Sequence, residues 1–484
     1  MAPATVRTRF APSPTGRLHL GNLRTALFNA LFARRHGGQV LLRIEDTDAG
    51  RSDDAHVNEL MADLSWLGLH WDEGPERSGT SGPYRQSERT EIYAKSFAAL
   101  EAGDHAYPCF CSVEELAASR RVQQAAGRAP RYPGTCARLS DAERAAKLDA
   151  GVAATLRFRV PPARQIDFDD LVRGPQEYAT DDLGDFVIRR SDGSPAFFFA
   201  NAVDDSLMGV THVLRGEDHL SNTPRQLLLH DALDLDVPRY GHLSLVVDAT
   251  GAPLSKRRGT ESCDDLRKRG FLPEAILNHL ARLGRSDVGP ELKDLDGLAR
   301  DFEPSRLSRS PARQDEAALL HWQKEAVLRL GVAAAWEWMD AWQHPSGDNI
   351  RTHLPVGNGP LFSELVHDNV VLPDEALEWA KRVGDASLVI DPEALSAIED
   401  AGEPFFRAAI ECLSGGRFDS FAARVGKRTG ASGKRLYQPL RAALTGTLHG
   451  PEFVRICEYI GSDGVRARLE AAVESCKNAK PTRV

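Results

Sequence analysis

Residues 5–48 constrain the fold more tightly than any other stretch. Val6–Phe10 reads as a short strand, and Pro12, Pro14 and Gly16 then form a stiff connection that cannot remain in a sheet. From Leu20 to Arg35 the apolar residues Leu23, Ala26, Leu27, Ala30 and Leu31 recur at helical spacing, and Gly37-Gly38 stops the helix. Gln39–Ile44 reads as a second, buried strand with Glu45-Asp46-Thr47-Asp48 at its C-terminal end. Open parallel sheets take ligands at that edge, near helix N-termini. His19 and Gly21 stand there, where free backbone N–H groups and the helix dipole favour phosphate.

The whole chain sets wider bounds. At 484 residues it is too long for one core, which predicts two or three domains. A hydrophobic share of 42% and a charged share of 27% are ordinary for a globular enzyme. No apolar run approaches the roughly 20 residues a membrane span needs, and the first ten residues lack a signal-peptide core, so no membrane partner is expected. Seven cysteines argue against a disulfide framework and for a reducing cytoplasm. The net charge of −9 excludes a bulk nucleic-acid binder but not a protein that grips RNA along one face.

Further along, residues 105–195 read as an insertion with short strands such as Thr155–Val160 and a cysteine cluster. The α/β pattern resumes around Ala200–Glu217, and Tyr240–Asp248 is a further strand leading to Pro253-Leu254-Ser255-Lys256-Arg257. From about residue 270 the reading is mostly helical. Lys256, between Ser255 and Arg257-Arg258, suits a cationic loop that closes over a triphosphate; the spacing is not that of a P-loop.

Ala11-Pro12-Ser13-Pro14-Thr15-Gly16-Arg17-Leu18-His19-Leu20-Gly21-Asn22, followed more than two hundred residues later by Leu254-Ser255-Lys256-Arg257, resembles the HIGH and KMSKS signatures of class I aminoacyl-tRNA synthetases. In detail it is similar to the bacterial glutamyl-tRNA synthetase family. The resemblance implies an α/β Rossmann-like catalytic domain with an inserted α+β acceptor-binding domain, followed by an all-α anticodon-binding region. The expected divisions are 1–105 and 199–260 for the two catalytic halves and 106–198 for the insertion with its possible zinc knuckle. A helical stem-contact region at 261–325 and a helical anticodon-binding domain at 326–484 would follow.

The implied reaction is activation of L-glutamate by ATP with Mg2+, then transfer to the 3′ end of tRNA(Glu) by a cytoplasmic monomer. His19 and Lys256 would be catalytic, and Thr15, Gly21, Asn22, Asp218 and Ser255 would join them around ATP. Arg9, Ser13, Glu45, Asn201 and Arg215 match positions that surround glutamate in this family. The two arginines suit a substrate with two carboxylates, which guanidinium groups pair bidentately, and Glu45 suits its ammonium. Phe197 stands where the family usually has a tyrosine, so a phenol is missing. Relatives of this kind generally need bound tRNA before they activate glutamate, and the same is expected here.

Cys109-x-Cys111 and Tyr132-x3-Cys136 have spacings compatible with one Zn2+. Many relatives carry a histidine as fourth ligand where this chain has Arg138. The related glutamyl-queuosine enzymes show the tyrosine pattern, which makes Tyr132 the candidate; reduced thiols around a vestigial knuckle are the alternative. Arg417 to Arg441 holds seven basic residues against Asp419 alone. Arg424, Lys427, Lys434, Arg435 and Arg441 there, with Arg51 near the catalytic sheet, are the tRNA-contact candidates.

Several rivals share features. A glutaminyl enzyme would end in β-barrels, a glutamyl-queuosine enzyme would lack the C-terminal half, and a binding-only paralogue would not need both ATP motifs. A non-discriminating or specialised form that glutamylates tRNA(Gln) stays open, because residues 285–410 depart from the family pattern.

Overall fold

The computed structural model describes residues 5–48, 52–252, 261–385, 388–413 and 417–478. The chain folds into two compact units, residues 1–264 with 276–316 and residues 265–275 with 317–484.

The first unit is built around parallel strand pairs. Strands β1 (Arg7–Phe10) and β2 (Gln39–Leu42) pair parallel, with helix α1 (Leu20–Arg35) crossing between them. The α1 limits match the sequence reading, but its burial does not follow a single stripe. Arg24, Phe28 and Asn29 are buried along with Leu23, Leu27 and Leu31, because α1 is wrapped by protein rather than facing water. The second strand ends at Leu42 rather than Ile44, since Ile44 instead bonds with the 84–86 segment, donating to Tyr84 O at 2.9 Å and accepting from Gln86 N at 3.0 Å. Past both strand ends the chains stay in register, with Arg43 N donating to Phe10 O and Glu45 N to Pro12 O, each at 3.0 Å. That pairing sets Glu45 beside the Pro-Ser-Pro turn.

Residues 106–189 carry antiparallel structure: β3 (Ala106–Cys109), β4 (Thr155–Phe158) and β7 (Phe186–Arg189) form one sheet in that order, and β5 (Gln165–Asp170) and β6 (Gly174–Ala179) form a hairpin. Parallel pairing returns with β8 (His212–Gly216) and β9 (Arg239–Leu243). Thr211 N donates to Arg7 O at 2.9 Å, joining the start of β8 to β1. The strand read as Tyr240–Asp248 is broken. After β9 the strand pairing lapses at residues 244–245, and the short β10 (Val246–Val247) pairs instead with β11 (Ala312–Arg313).

The second unit is helical and has its own core. Phe362, Phe406, Phe421, Leu440, Ile456 and Leu469 are all fully or nearly fully buried in it. Two of its helical stretches, Pro392–Glu411 and Phe453–Asn478, break at Gly402 and Gly461, where φ is 75° and 76°. Glycine takes that left-handed conformation without the Cβ penalty. Among the described residues no helix is long and apolar enough to cross a membrane.

Candidate active site

His19 is the N-cap of α1, and its Nδ1 accepts from Gly21 N at 3.1 Å. A backbone N–H can only donate, so in the neutral ring the proton sits on Nε2. That fixes the imidazole as a donor at the mouth of a helix whose dipole already favours anions. Gly21 leaves that contact uncrowded: a Cβ there would lie 3.0 Å from His19 Cε1 and 3.1 Å from Nδ1, tight enough to make the ring shift. His19 also forms a bridge with Ser262, and Cys263 N donates to Leu18 O at 3.0 Å. Ser262 and Cys263 therefore lie against the helix N-terminus. Ser255 and Lys256, like Arg51, lie outside the described residues.

A cavity of about 470 Å³ opens here. Arg9, Ser13, Thr15, His19, Gly21, Asn22, Glu45, Asn201, Arg215 and Asp218 all line it, so one cavity gathers the expected ATP and glutamate residues that the structure describes. Phe197 joins them, stacked on His219 with ring centroids 5.0 Å apart. Thr15 N closes a tight turn on Ser13 O at 2.8 Å.

Beneath the cavity runs a charge network that local spacing does not reveal. Arg43 is fully buried and donates to Asp205 Oδ1 at 2.7 Å, to Glu45 Oε1 at 3.1 Å and to Asn201 Oδ1 at 3.1 Å. Arg9 Nε reaches the same Asp205 oxygen at 3.1 Å. Asp204, the neighbouring acid, receives Arg89 at 2.7 Å, Tyr93 Oη at 2.8 Å and Gln86 at 2.9 Å. Burial pushes the Glu45 carboxyl up against the pull of Arg43 and Arg9. For Asp205 burial acts in the same sense, but the two arginines outweigh it and the carboxyl is held below its ordinary range. The available signal was Arg43 itself, a charge inside an apolar strand that must find partners. Apart from Glu45, two residues on, those partners lie some 160 residues away in sequence: Asp205 and Asn201.

Arg215 differs from Arg9 in one decisive respect. It is buried, yet its side-chain bonds run to neutral acceptors: His242 Nε2 at 3.1 Å, Thr223 Oγ1 at 2.9 Å and Gln226 Oε1 at 2.7 Å. Its Nη1 has no hydrogen-bond partner among the described residues. Burial lowers its pKa to about 10. A desolvated guanidinium that lines a cavity, with no carboxylate bound to it among the described residues, is suited to receive one.

A second cluster lies at the end of β3. The Cys109, Cys111 and Cys136 sulfurs lie within 4.8 Å of one another. Tyr132 Oη is 3.4 Å from Cys109 Sγ and 3.7 Å from Cys111 Sγ, and Cys136 N donates to it at 2.8 Å. Arg138 is exposed and turns its guanidinium to Pro133 O at 3.2 Å. Burial and the neighbouring thiols push Cys111 up to about 12.

In the helical unit the basic candidates divide. Lys427, Lys434 and Arg435 are exposed. Arg424 instead caps a helix end, donating to Cys412 O at 3.1 Å and Arg417 O at 3.0 Å, and Arg441 donates to Pro451 O at 2.6 Å.

Comparison with known proteins agrees with this geometry. Residues 5–321 match the family described as tRNA synthetases class I (E and Q), catalytic domain, and residues 408–473 match an anticodon binding domain. The chain is 54% identical over 476 residues to "Glutamate--tRNA ligase 2" of Nitrosococcus oceani, covering 98% of this chain and 99% of that one. It is 52% identical over 479 residues to "Glutamate--tRNA ligase 2" of Alkalilimnicola ehrlichii, again with 98% and 99% covered. A crystal structure of a glutamate tRNA ligase from Elizabethkingia meningosepticum in complex with its amino acid superposes with a TM-score of 0.86 at 29% identity, over 97% of this chain and 99% of that chain. Shared motifs, shared architecture and near-complete coverage place the chain in the glutamate–tRNA ligase family of class I aminoacyl-tRNA synthetases.

Proposed function

We propose that this chain joins L-glutamate to the 3′ end of tRNA(Glu) in two ATP-dependent steps. A glutamate α-carboxylate oxygen bonds to the ATP α-phosphorus as the bond to pyrophosphate breaks, giving glutamyl-adenylate. A ribose hydroxyl of the tRNA then attacks the activated carbonyl, AMP leaves and a proton is released. The observation that carries glutamate as substrate is Arg215, a buried guanidinium whose Nη1 has no partner among the described residues, on the wall of the cavity that also holds His19.

The side chains divide the work. His19 Nε2 and the α1 N-terminus face the phosphates, with Thr15, Gly21, Asn22 and Asp218 around the nucleotide; Ser255 and Lys256, which lie outside the described residues, keep the ATP roles that the family resemblance implies. Arg9 and Arg215 hold the two carboxylates, Glu45 the ammonium, and Ser13 and Asn201 complete the amino-acid pocket. Catalysis is positioning and electrostatic stabilisation of charge moving onto phosphate, with Mg2+ accompanying ATP.

The thiol cluster fits a structural Zn2+. With Zn–S bonds of about 2.3 Å a tetrahedral site has S···S edges of roughly 3.8 Å, and Cys111 and Cys136 sulfurs stand 3.7 Å apart. Cys109, Cys111, Cys136 and Tyr132 would hold it, and the bound cation would tie the end of β3 to the 132–136 segment. In the helical unit the exposed Lys427, Lys434 and Arg435 suit tRNA phosphates better than Arg424 and Arg441, whose guanidinium groups serve the chain's own carbonyls.

The relatives are named for glutamate as the amino acid, and the acceptor is decided by experiment. The test is aminoacylation of tRNA(Glu) and tRNA(Gln) side by side, with glutamate and glutamine as competing substrates. Glutamate on tRNA(Glu) is the expected product. Preferential charging of tRNA(Gln) would overturn the acceptor, and preferential use of glutamine would overturn the amino acid.

A further inference from the structure

We propose that Asp170 and His242 are positioning residues that orient Arg215, so that the β5–β6 hairpin of the inserted segment helps set the enzyme's grip on glutamate. The inference rests on the reading that Arg215 meets a substrate carboxylate.

Asp170 ends β5, and its side chain is fully enclosed. Its two oxygens have separate tasks. Oδ1 accepts three backbone N–H groups: Val172 at 2.9 Å, Arg173 at 2.8 Å and His242 at 3.1 Å. Oδ2 faces His242 Nδ1 at 2.5 Å. An ionised carboxylate can only accept, so Nδ1 carries the imidazole proton. Nε2 is then a bare acceptor, and it receives Arg215 Nε–H at 3.1 Å, with Thr223 Oγ1 also 3.1 Å away. Burial holds the His242 pKa down to about 4, so the ring is neutral near pH 7.

The geometry thus forms a directed chain. The carboxylate chooses the tautomer, the tautomer presents a lone pair, and the lone pair fixes Nε of the guanidinium. Thr223 and Gln226 fix Nη2. A planar group held at two of its three nitrogens has no remaining rotational freedom, which leaves Nη1 directed without cost at binding. The source of the carboxylate matters too. Leu171 N donates to Tyr240 O at 2.8 Å, so the hairpin end is stitched to β9 beside the relay.

Asp170→Asn tests the relay with little change in shape. Because three backbone donors claim the Oδ1 position, the new amide oxygen must stay there, and its NH2 takes the place of Oδ2. It then donates to Nδ1, which moves the ring proton to Nε2 and sets two donors against each other at Arg215 Nε. Losing a correctly presented charged hydrogen bond predicts a glutamate KM raised about ten- to hundred-fold, with the ATP KM unchanged. Arg215→Ala serves as the reference for the carboxylate-binding role.

If both variants raise the glutamate KM while sparing the ATP KM, the relay is supported. If Arg215→Ala does so but Asp170→Asn stays within about two-fold of the native value, the relay is overturned and the glutamate reading stands. A normal glutamate KM in Arg215→Ala overturns the reading, and the relay with it. Should Asp170→Asn fail to fold, the imidazole 15N spectrum of the native enzyme decides. A neutral His242 protonated on Nδ1 supports the relay, and protonation on Nε2 overturns it.

Discussion

Arg43 and Asp205 meet at 2.7 Å with both side chains fully shielded from water, and that single ion pair underlies three of the five proposed glutamate contacts. Arg43 also holds Glu45 and Asn201, while Asp205 holds Arg9. Arg43→Met would leave Glu45, Asp204 and Asp205 without their shared cation. Removing one partner of a buried pair costs about 3–5 kcal/mol. The expected outcome is a urea midpoint lowered accordingly, with Arg43→Lys recovering part of the stability but not the glutamate KM, because an ammonium lacks the planar fork that spans three partners. Equilibrium unfolding and glutamate-dependent kinetics on the two variants check this.

Gly21 offers a sharper probe of the phosphate side. A methyl group at Gly21 would lie 3.0 Å from His19 Cε1, tighter than most Cβ contacts, so the imidazole would have to give by a few tenths of an ångström and its Gly21 N–H anchor would be disturbed. Misplacing one transition-state donor costs about 10²–10³ in rate. Gly21→Ala is therefore expected to lower kcat for adenylate formation by about that factor while leaving the glutamate KM near native. A glutamate KM that rises in step with the loss in kcat would contradict the placement of His19.

How far the sequence could be read follows from where partners lie along the chain. The α1 boundaries and the strand-end position of Glu45 are local properties, set by apolar spacing and by glycines and prolines within a few residues, and they emerge correctly. Arg43, Asp205, His242 and Asp170 escaped because each acts through contacts 72 to 162 residues distant. Their pairing exists only once the sheet has formed. The basic run from Arg417 to Arg441 shows the converse error. Charge counting treats all its cations alike, yet the fold spends Arg424 and Arg441 on helix ends and loop carbonyls. The strand reading through to Asp248 does not hold, because Arg239–Leu243 and Val246–Val247 pair in two different sheets.

Tyr132 is expected to complete the zinc site in place of the missing fourth residue. Its hydroxyl lies within 3.7 Å of two thiols, and a neutral phenol is held far from ionising first by burial and then by Cys109, so the cation must supply the charge that frees it. Purified protein should carry about one zinc per chain. Tyr132→Phe should weaken metal retention about 10- to 100-fold against a competing chelator, whereas Cys136→Ala should abolish it. Metal analysis after graded chelation measures both, and native protein free of zinc would sink the site.

The two units are expected to respond to acid in opposite local senses. In the first, burial lowers His230 and His242 to about 4. An unfolded histidine takes a proton near pH 6.5 that these refuse, so the unfolded state binds more protons between roughly pH 6.5 and 4. Stability there is full above that window and falls as pH drops through it, by up to about 3 kcal/mol for each residue. In the second unit His353 lies 2.9 Å from both Asp348 and Asp385. Burial opposes its charge, but hydrogen bonds to the two carboxylates prevail and its pKa is raised. Its contribution is complete below the unfolded value and is lost as pH rises through the folded one. Hydrogen exchange at pH 7.5 and 5.5, corrected for intrinsic rates, should show protection falling around β8 and β9 on acidification and rising across residues 348–354. His353→Gln should remove the rise and leave the fall, and protection that moves the same way in both regions would refute the assignment.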